Sequence, residues 1–151
     1  FELDVLCRMG KLTEVLDKIR SYWGGMLDLG AVTFWEEYDP SVPKEEQYDM
    51  YGDHFGKSLC HAWAASPIYF LAKYFAGLDL VNKDGVTYIL KPQMQYFTEL
   101  DCTLPVGSNG VVRLVWDGEI LEITPNADGG ILELGEQKLS LVRGETRRVK
   151  I

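Results

Sequence analysis

Histidine and cysteine are scarce in this sequence, and their spacing excludes more chemistry than it suggests. Only His54 and His61 are present, with no His-x-x-x-His pair and no Cys-x-x-Cys, so no metal site is expected. The three cysteines, Cys7, Cys60 and Cys102, are odd in number and far apart. They suggest no disulfide framework and read as small buried hydrophobes. Basic residues are in the minority: 15 Lys and Arg stand against 23 Asp and Glu, for a net charge of −8. Apart from "RGETRRVK" near the end the cations are scattered, and a phosphate backbone would meet mostly repulsion, which argues against nucleic acid as a partner. No apolar run approaches the roughly 18 residues of a membrane span. No glycine-rich phosphate loop follows a strand, no Gly-x-Ser-x-Gly elbow exists, and no cofactor is implied. A starting methionine is lacking too: the chain opens at Phe1 in what reads as the body of a helix. We therefore expect a piece of a longer, soluble protein, with the compartment, cytoplasmic or periplasmic or secreted, left open.

What is present is ample core material. With 46% hydrophobic and 12% aromatic residues, the chain should fold rather than stay disordered. Its 151 residues leave room for one or two compact units. From Leu12 the apolar residues fall at Leu12, Val15, Leu16, Ile19, Trp23, Met26 and Leu27, the one-sided stripe of a helix. Gly10 closes a shorter helix before it, so a helical hairpin is predicted, with a break or bend at Gly24-Gly25. Residues 38–57 carry Pro40, Pro43, Gly52, Gly56 and several acids with no period, a long loop that serves as a functional rim or as plain surface. Leu59 to Leu78 is apolar nearly all round. It predicts a helix enclosed by other helices, kinked or started at Pro67 and closed at Gly77, with "DLVNKDG" as a linker.

After Gly85 the period changes to two. "VTYILKP", "GVVRLVW", "EILEITP", "GGILELG", "KLSLVRG" and "RRVKI" are short segments bounded by turn residues, and Asp117-Gly118 is a strong hairpin signal. About six or seven antiparallel strands suggest a small sandwich or half-barrel. The expected domains are a helical part, 1–80, and a β part, 81–151. The helical part is too small to stand alone, which strengthens the expectation of missing chain.

Two motifs carry candidate chemistry. Glu36 closes the apolar stretch "GAVTFW" and so sits where core meets water; by spacing alone it reads equally as a surface glutamate at a helix end. Glu37 is adjacent and must point elsewhere. His61, beside Cys60 and Trp63, reads as a core histidine or as a donor to substrate, while His54 in the acidic loop reads as solvated. Trp23, Trp35, Trp63 and Trp116, with Tyr22, Tyr38, Tyr48 and Tyr51, are read as clustering around the glycine pair, the acidic pair and the loop. Flat rings beside carboxylates suit the C–H faces and hydroxyls of a sugar, and suit core packing as well.

"SYWGGMLDLGAVTFWEEYDP" followed by "GKSLCHAWAASPIYFLAKYFAGL" resembles the end of the catalytic domain of bacterial α-L-rhamnosidases, the six-hairpin glycosidases of glycoside hydrolase family 78. In that family a tryptophan-glycine segment leads into Gly-Ala-Thr-Thr-x-Trp-Glu, and Ser-Leu-x-His opens a later helix; here Val32 replaces the first threonine. The resemblance covers roughly residues 1 to 80. It implies an α+β fragment, the last helical hairpins of an (α/α)6 barrel followed by an antiparallel β-sandwich. It further implies that Glu36 is the general base of an inverting hydrolysis and that His61, with Trp35 and Trp23, contacts a rhamnoside substrate. The general acid lies upstream, so this chain needs the remainder of the parent chain as its partner and should be inactive alone. Two other readings stay open: a non-catalytic structural or carbohydrate-binding β module on a helical scaffold, and a six-hairpin glycosidase for another sugar.

Overall fold

The computed structural model describes residues 1–81, 87–108 and 110–151. It is a mixed α+β chain of two compact units, Phe1–Phe70 and Leu71–Ile151.

The first unit opens with helices α1 (Glu2–Arg8) and α2 (Leu12–Asp28), which pack on each other. Gly10, at φ +73°, turns the chain between them, and Lys18 reaches back to Glu2 at 2.9 Å. The predicted hairpin is present. The break at Gly24-Gly25 is not: α2 runs through both glycines to Asp28. The two differ in surroundings. A side chain at Gly24 would meet nothing within 4 Å, whereas one at Gly25 would run into the ring of Tyr38. The second glycine thus admits a neighbouring ring and leaves the helix intact.

The loop of residues 38–57 is irregular apart from a single 3₁₀ turn at Lys44–Glu46 and a two-residue turn bridged by Met50 and Asp53. Its order comes from Gln47, 1% exposed. The Gln47 amide donates to the carbonyls of Asp39 (2.5 Å) and Val42 (2.8 Å) and accepts from the Asp39 N–H at 3.4 Å. A buried amide satisfied by backbone pins the loop from inside.

Of the two alternatives expected at Pro67, a kink or a start, the structure has the start, and no helix runs from Leu59. His61 is extended (φ −113°, ψ +106°), a 3₁₀ turn follows at Ala62–Ala64, and helix α3 covers only Ser66–Phe70. Pro67 sits in its first turn, where a missing N–H costs no bond. Nor is this stretch enclosed: Trp63 is 92% and Ile68 60% exposed. An apolar composition does not specify which faces are covered.

The second unit begins with a π-helical turn, Leu71–Phe75. Gly77 closes it at φ +74°, close against the Lys91 backbone, whose N–H donates to the Gly77 carbonyl at 2.9 Å. Among the described residues eight strands follow: β1 (Leu78–Leu80), β2 (Tyr88–Leu90), β3 (Leu100–Val106), β4 (Gly110–Trp116), β5 (Ile120–Pro125), β6 (Gly130–Leu134), β7 (Gln137–Leu141) and β8 (Arg147–Lys150). They form two sheets, ordered β1-β2-β6-β7 and β3-β4-β5-β8. The expected linker is thus a strand at its start; its continuation from 82, with Gly85, lies outside the described residues. Pairing is antiparallel except between β2 and β6, which run parallel with Tyr88 opposite Gly130, a departure from the all-antiparallel expectation. Strand β3 contains Pro105, tolerated because β3 is an edge. The Asp117-Gly118 turn is present, with Gly118 at φ +96° and the Asp117 carboxylate accepting from the Glu119 and Ile120 N–H groups at 2.9 and 2.7 Å. Tyr88, Leu90, Leu132 and Leu141 of one sheet share a buried core with Leu104, Val112, Leu114, Leu121 and Ile123 of the other. Among the described residues no helix is long and apolar enough to cross a membrane.

Candidate functional site

Two segments of the first unit lie side by side, bonded backbone to backbone. The Glu36 N–H donates to the Ser58 carbonyl at 2.9 Å, the His61 N–H to the Phe34 carbonyl at 2.8 Å, and the Thr33 hydroxyl to the Leu59 carbonyl. The two motifs, more than twenty residues apart in sequence, are therefore one structural feature.

Beneath them is an aromatic floor. Trp35, 4% exposed, forms a buried cluster with Met26 and Ala31, against which Tyr22, Trp23, Tyr38 and Tyr48 pack. The Trp35 ring meets Tyr48 edge-on at 5.5 Å between centroids. Tyr22 meets Trp23 in the same manner at 4.9 Å, and the Trp23 indole N–H donates to the Ala64 carbonyl at 2.8 Å. Because Trp35 is locked inward, the chain must turn its next side chain, Glu36, outward from the cluster.

The Glu36 side chain is 21% exposed. Its Oε1 accepts from the Tyr51 hydroxyl at 3.0 Å and its Oε2 from the Ser58 N–H at 3.2 Å, while the His61 Nδ1 stands 3.9 Å from Oε2. The Ser58 N–H and then the Tyr51 hydroxyl hold the carboxyl below its ordinary range, and the charges of His61 and Lys57 act in the same direction. The same bond raises the Tyr51 phenol, which stays a donor. An ionised carboxylate has about four acceptor positions, and these contacts leave capacity for water. Glu36 and His61, with Ala62 and Trp63, line an open cleft of about 350 Å³, the size of a small-ligand site. Such a carboxylate can take a proton from bound water.

The structure brings Glu36 and His61 together as neighbours; Trp35 lies below them and Trp23 lines a separate apolar cavity with Met26, Val32 and Phe34. Glu37 is exposed, and its charge acts on the Tyr51 phenol. His54 pairs with Asp49 at 2.6 Å in the loop. Cys7 is buried, but Cys60, expected inside, is exposed, because the backbone around it is extended loop and not a packed helix. Tyr51 and Trp63 were named in the sequence only among the aromatics near the motifs, and nothing there pointed to the Tyr51 bond to Glu36 or to the Ser58 N–H. Among the described residues no group of three His, Cys, Asp or Glu could hold a metal ion.

No family model matches the chain, and neither does any curated protein. Among solved structures it is similar to the crystal structure of the GH78 family rhamnosidase of Bacillus sp. GL1, with a TM-score of 0.63 and 23% identity. The match covers 88% of this chain and 14% of that one, so the chain spans about one seventh of that protein's length. At this identity the likeness is one of fold: the chain is folded like a part of a GH78 rhamnosidase.

Proposed function

We propose that this chain is part of an inverting glycoside hydrolase that releases terminal α-L-rhamnose, contributing the last helical hairpins of an (α/α)6 barrel (1–80) and the β-sandwich that follows (81–151). Glu36 is its general base. The observation that supports this most directly is the Glu36 carboxylate itself: bonded by Tyr51 and Ser58, kept ionised and facing a cleft with His61 beside it. The fold likeness to a GH78 rhamnosidase supports the choice of sugar.

In this reading Glu36 takes a proton from a water as the water oxygen attacks the anomeric carbon. The bond to the leaving oxygen breaks with inversion, and a carboxylic acid on the opposite face protonates that oxygen. The two carboxyls stand about 6.5–9.5 Å apart in such enzymes. The acid belongs to the remainder of the parent chain, so this chain alone is inactive. In this proposal His61 contacts the sugar, Trp35 supports the site from the buried cluster, and Trp23 contributes from the neighbouring apolar cavity. Replacing Glu36→Gln in the full-length parent should lower turnover about 10²- to 10⁴-fold with the fold intact. Unchanged turnover on an aryl α-L-rhamnoside would refute the assignment.

A further inference from the structure

The turn that carries Tyr51 is built against its own sequence preference. The Met50 N–H donates to the Asp53 carbonyl and the Asp53 N–H to the Met50 carbonyl, both at 3.0 Å. The two residues between them are both left-handed, Tyr51 at φ +55° and Gly52 at φ +82°. This is the two-residue hairpin turn that selects Asn-Gly or Asp-Gly. Glycine suits the second position. A tyrosine at the first is strained, and among the described residues it is the sole non-glycine residue with positive φ. Packing does not account for it, because Tyr51 is 86% exposed. What the tyrosine adds, and asparagine would not, is a hydroxyl far enough from the backbone to reach Glu36 Oε1 at 3.0 Å.

We propose that Tyr51 is the positioning residue of Glu36: the loop holds a strained turn so that the phenol fixes one carboxylate oxygen while the Ser58 N–H fixes the other. The inference rests on reading Glu36 as the base. Held by Ser58 alone, the carboxylate can still rotate about its terminal bond; with both oxygens bonded, its free acceptor positions face a set direction. The other charged or titratable groups acting on the pair are His61 and Lys57, which favour the carboxylate, and Glu37, whose charge opposes ionisation of the phenol.

The test compares Tyr51→Phe, Tyr51→Asn and Glu36→Gln in the full-length parent, with an aryl α-L-rhamnoside as substrate. Tyr51→Phe should lower kcat roughly 10- to 50-fold with KM within about threefold, and should move the acidic limb of the pH profile upward. Tyr51→Asn relieves the turn and removes the hydroxyl. It should be as slow as the phenylalanine variant and melt no lower than the wild type, an outcome that a merely structural role for Tyr51 would not give. Wild-type kcat with an unmoved acidic limb in Tyr51→Phe overturns the proposal, as does a loss of activity that follows a lowered melting temperature in both Tyr51 variants. Full activity in Glu36→Gln overturns the reading of the base itself, and Tyr51's role with it, so the two failures are told apart.

Discussion

Gly24 and Gly25 are neighbours in α2 with the same backbone and different surroundings, which makes them a controlled pair. Replacing either by alanine adds one methyl group and gains helix propensity of about 0.5–1 kcal/mol. At Gly24 the methyl group points into open space, so that gain should appear undiminished. At Gly25 it collides with Cε1, Cζ and the hydroxyl oxygen of Tyr38. That ring is edge-on to Tyr22 at 5.8 Å, and the Tyr38 N–H donates to the Tyr22 hydroxyl at 2.9 Å. Moving the ring therefore disturbs its contact with Tyr22, and the backbone bond limits how far the residue as a whole can shift. Overpacking of this kind costs about 1–3 kcal/mol. Since the propensity gain is common to both variants, the stability of Gly25→Ala should fall below that of Gly24→Ala by the same about 1–3 kcal/mol.

The assay is urea denaturation followed by far-ultraviolet circular dichroism, with midpoints compared at an unchanged slope. Equal midpoints for the two variants would refute the claim that Gly25 is there to admit Tyr38. Midpoints lowered alike would instead restore the expectation that the helix needs a break at this pair.

Removing the anchor of the 38–57 loop should loosen it, and with it the Tyr51 bond to Glu36. Gln47→Leu strips the donors from the Asp39 and Val42 carbonyls and should cost about 1–3 kcal/mol, read as faster amide exchange within residues 39–57 than in α2; equal protection in the two regions would count against it. Stability should also fall in acid. The Glu36, Asp39, Asp101, Asp117 and Glu133 carboxyls all lie below their ordinary values, 4.5 for Glu and 3.8 for Asp. A depressed folded value stabilises above the unfolded one and loses that contribution as pH drops through the folded one. The urea midpoint should be flat above pH about 5 and drop below about 4.5, less steeply in Asp101→Asn, which lacks the Arg113 pair at 2.7 Å. A midpoint unchanged at pH 3 would contradict this.

The parts of the fold that were legible are those in which one-dimensional period and local turn chemistry agree. The stripe from Leu12 to Leu27 and the Asp117-Gly118 turn are of this kind. Strand β1 has three residues, of which Asp79 and Leu80 are exposed, too few to display a period. In β3 the alternation Leu100, Cys102, Leu104, Val106 is present, and Pro105 fits a strand only at an edge, which is a tertiary fact. The stretch after Leu59 failed differently: its apolar residues promised enclosure, and Trp63 and Ile68 are open in this chain.

The site divides in the same way. Glu36 and His61 could be named from motifs, but spacing alone left each with an ordinary alternative, since nothing local joins residue 36 to residue 61. What joins them is backbone pairing between the two segments, and the residue that completes the arrangement, Tyr51, breaks the local rule that its own turn obeys elsewhere through Gly52. Sequence reading works by assuming that each local preference is met. A residue retained against its preference is invisible to that assumption, and its reason must lie outside its own segment. For Tyr51 the structure supplies an outside contact, the Glu36 carboxylate, so the strain at the turn and the chemistry at the cleft stand or fall together in the Tyr51→Asn variant.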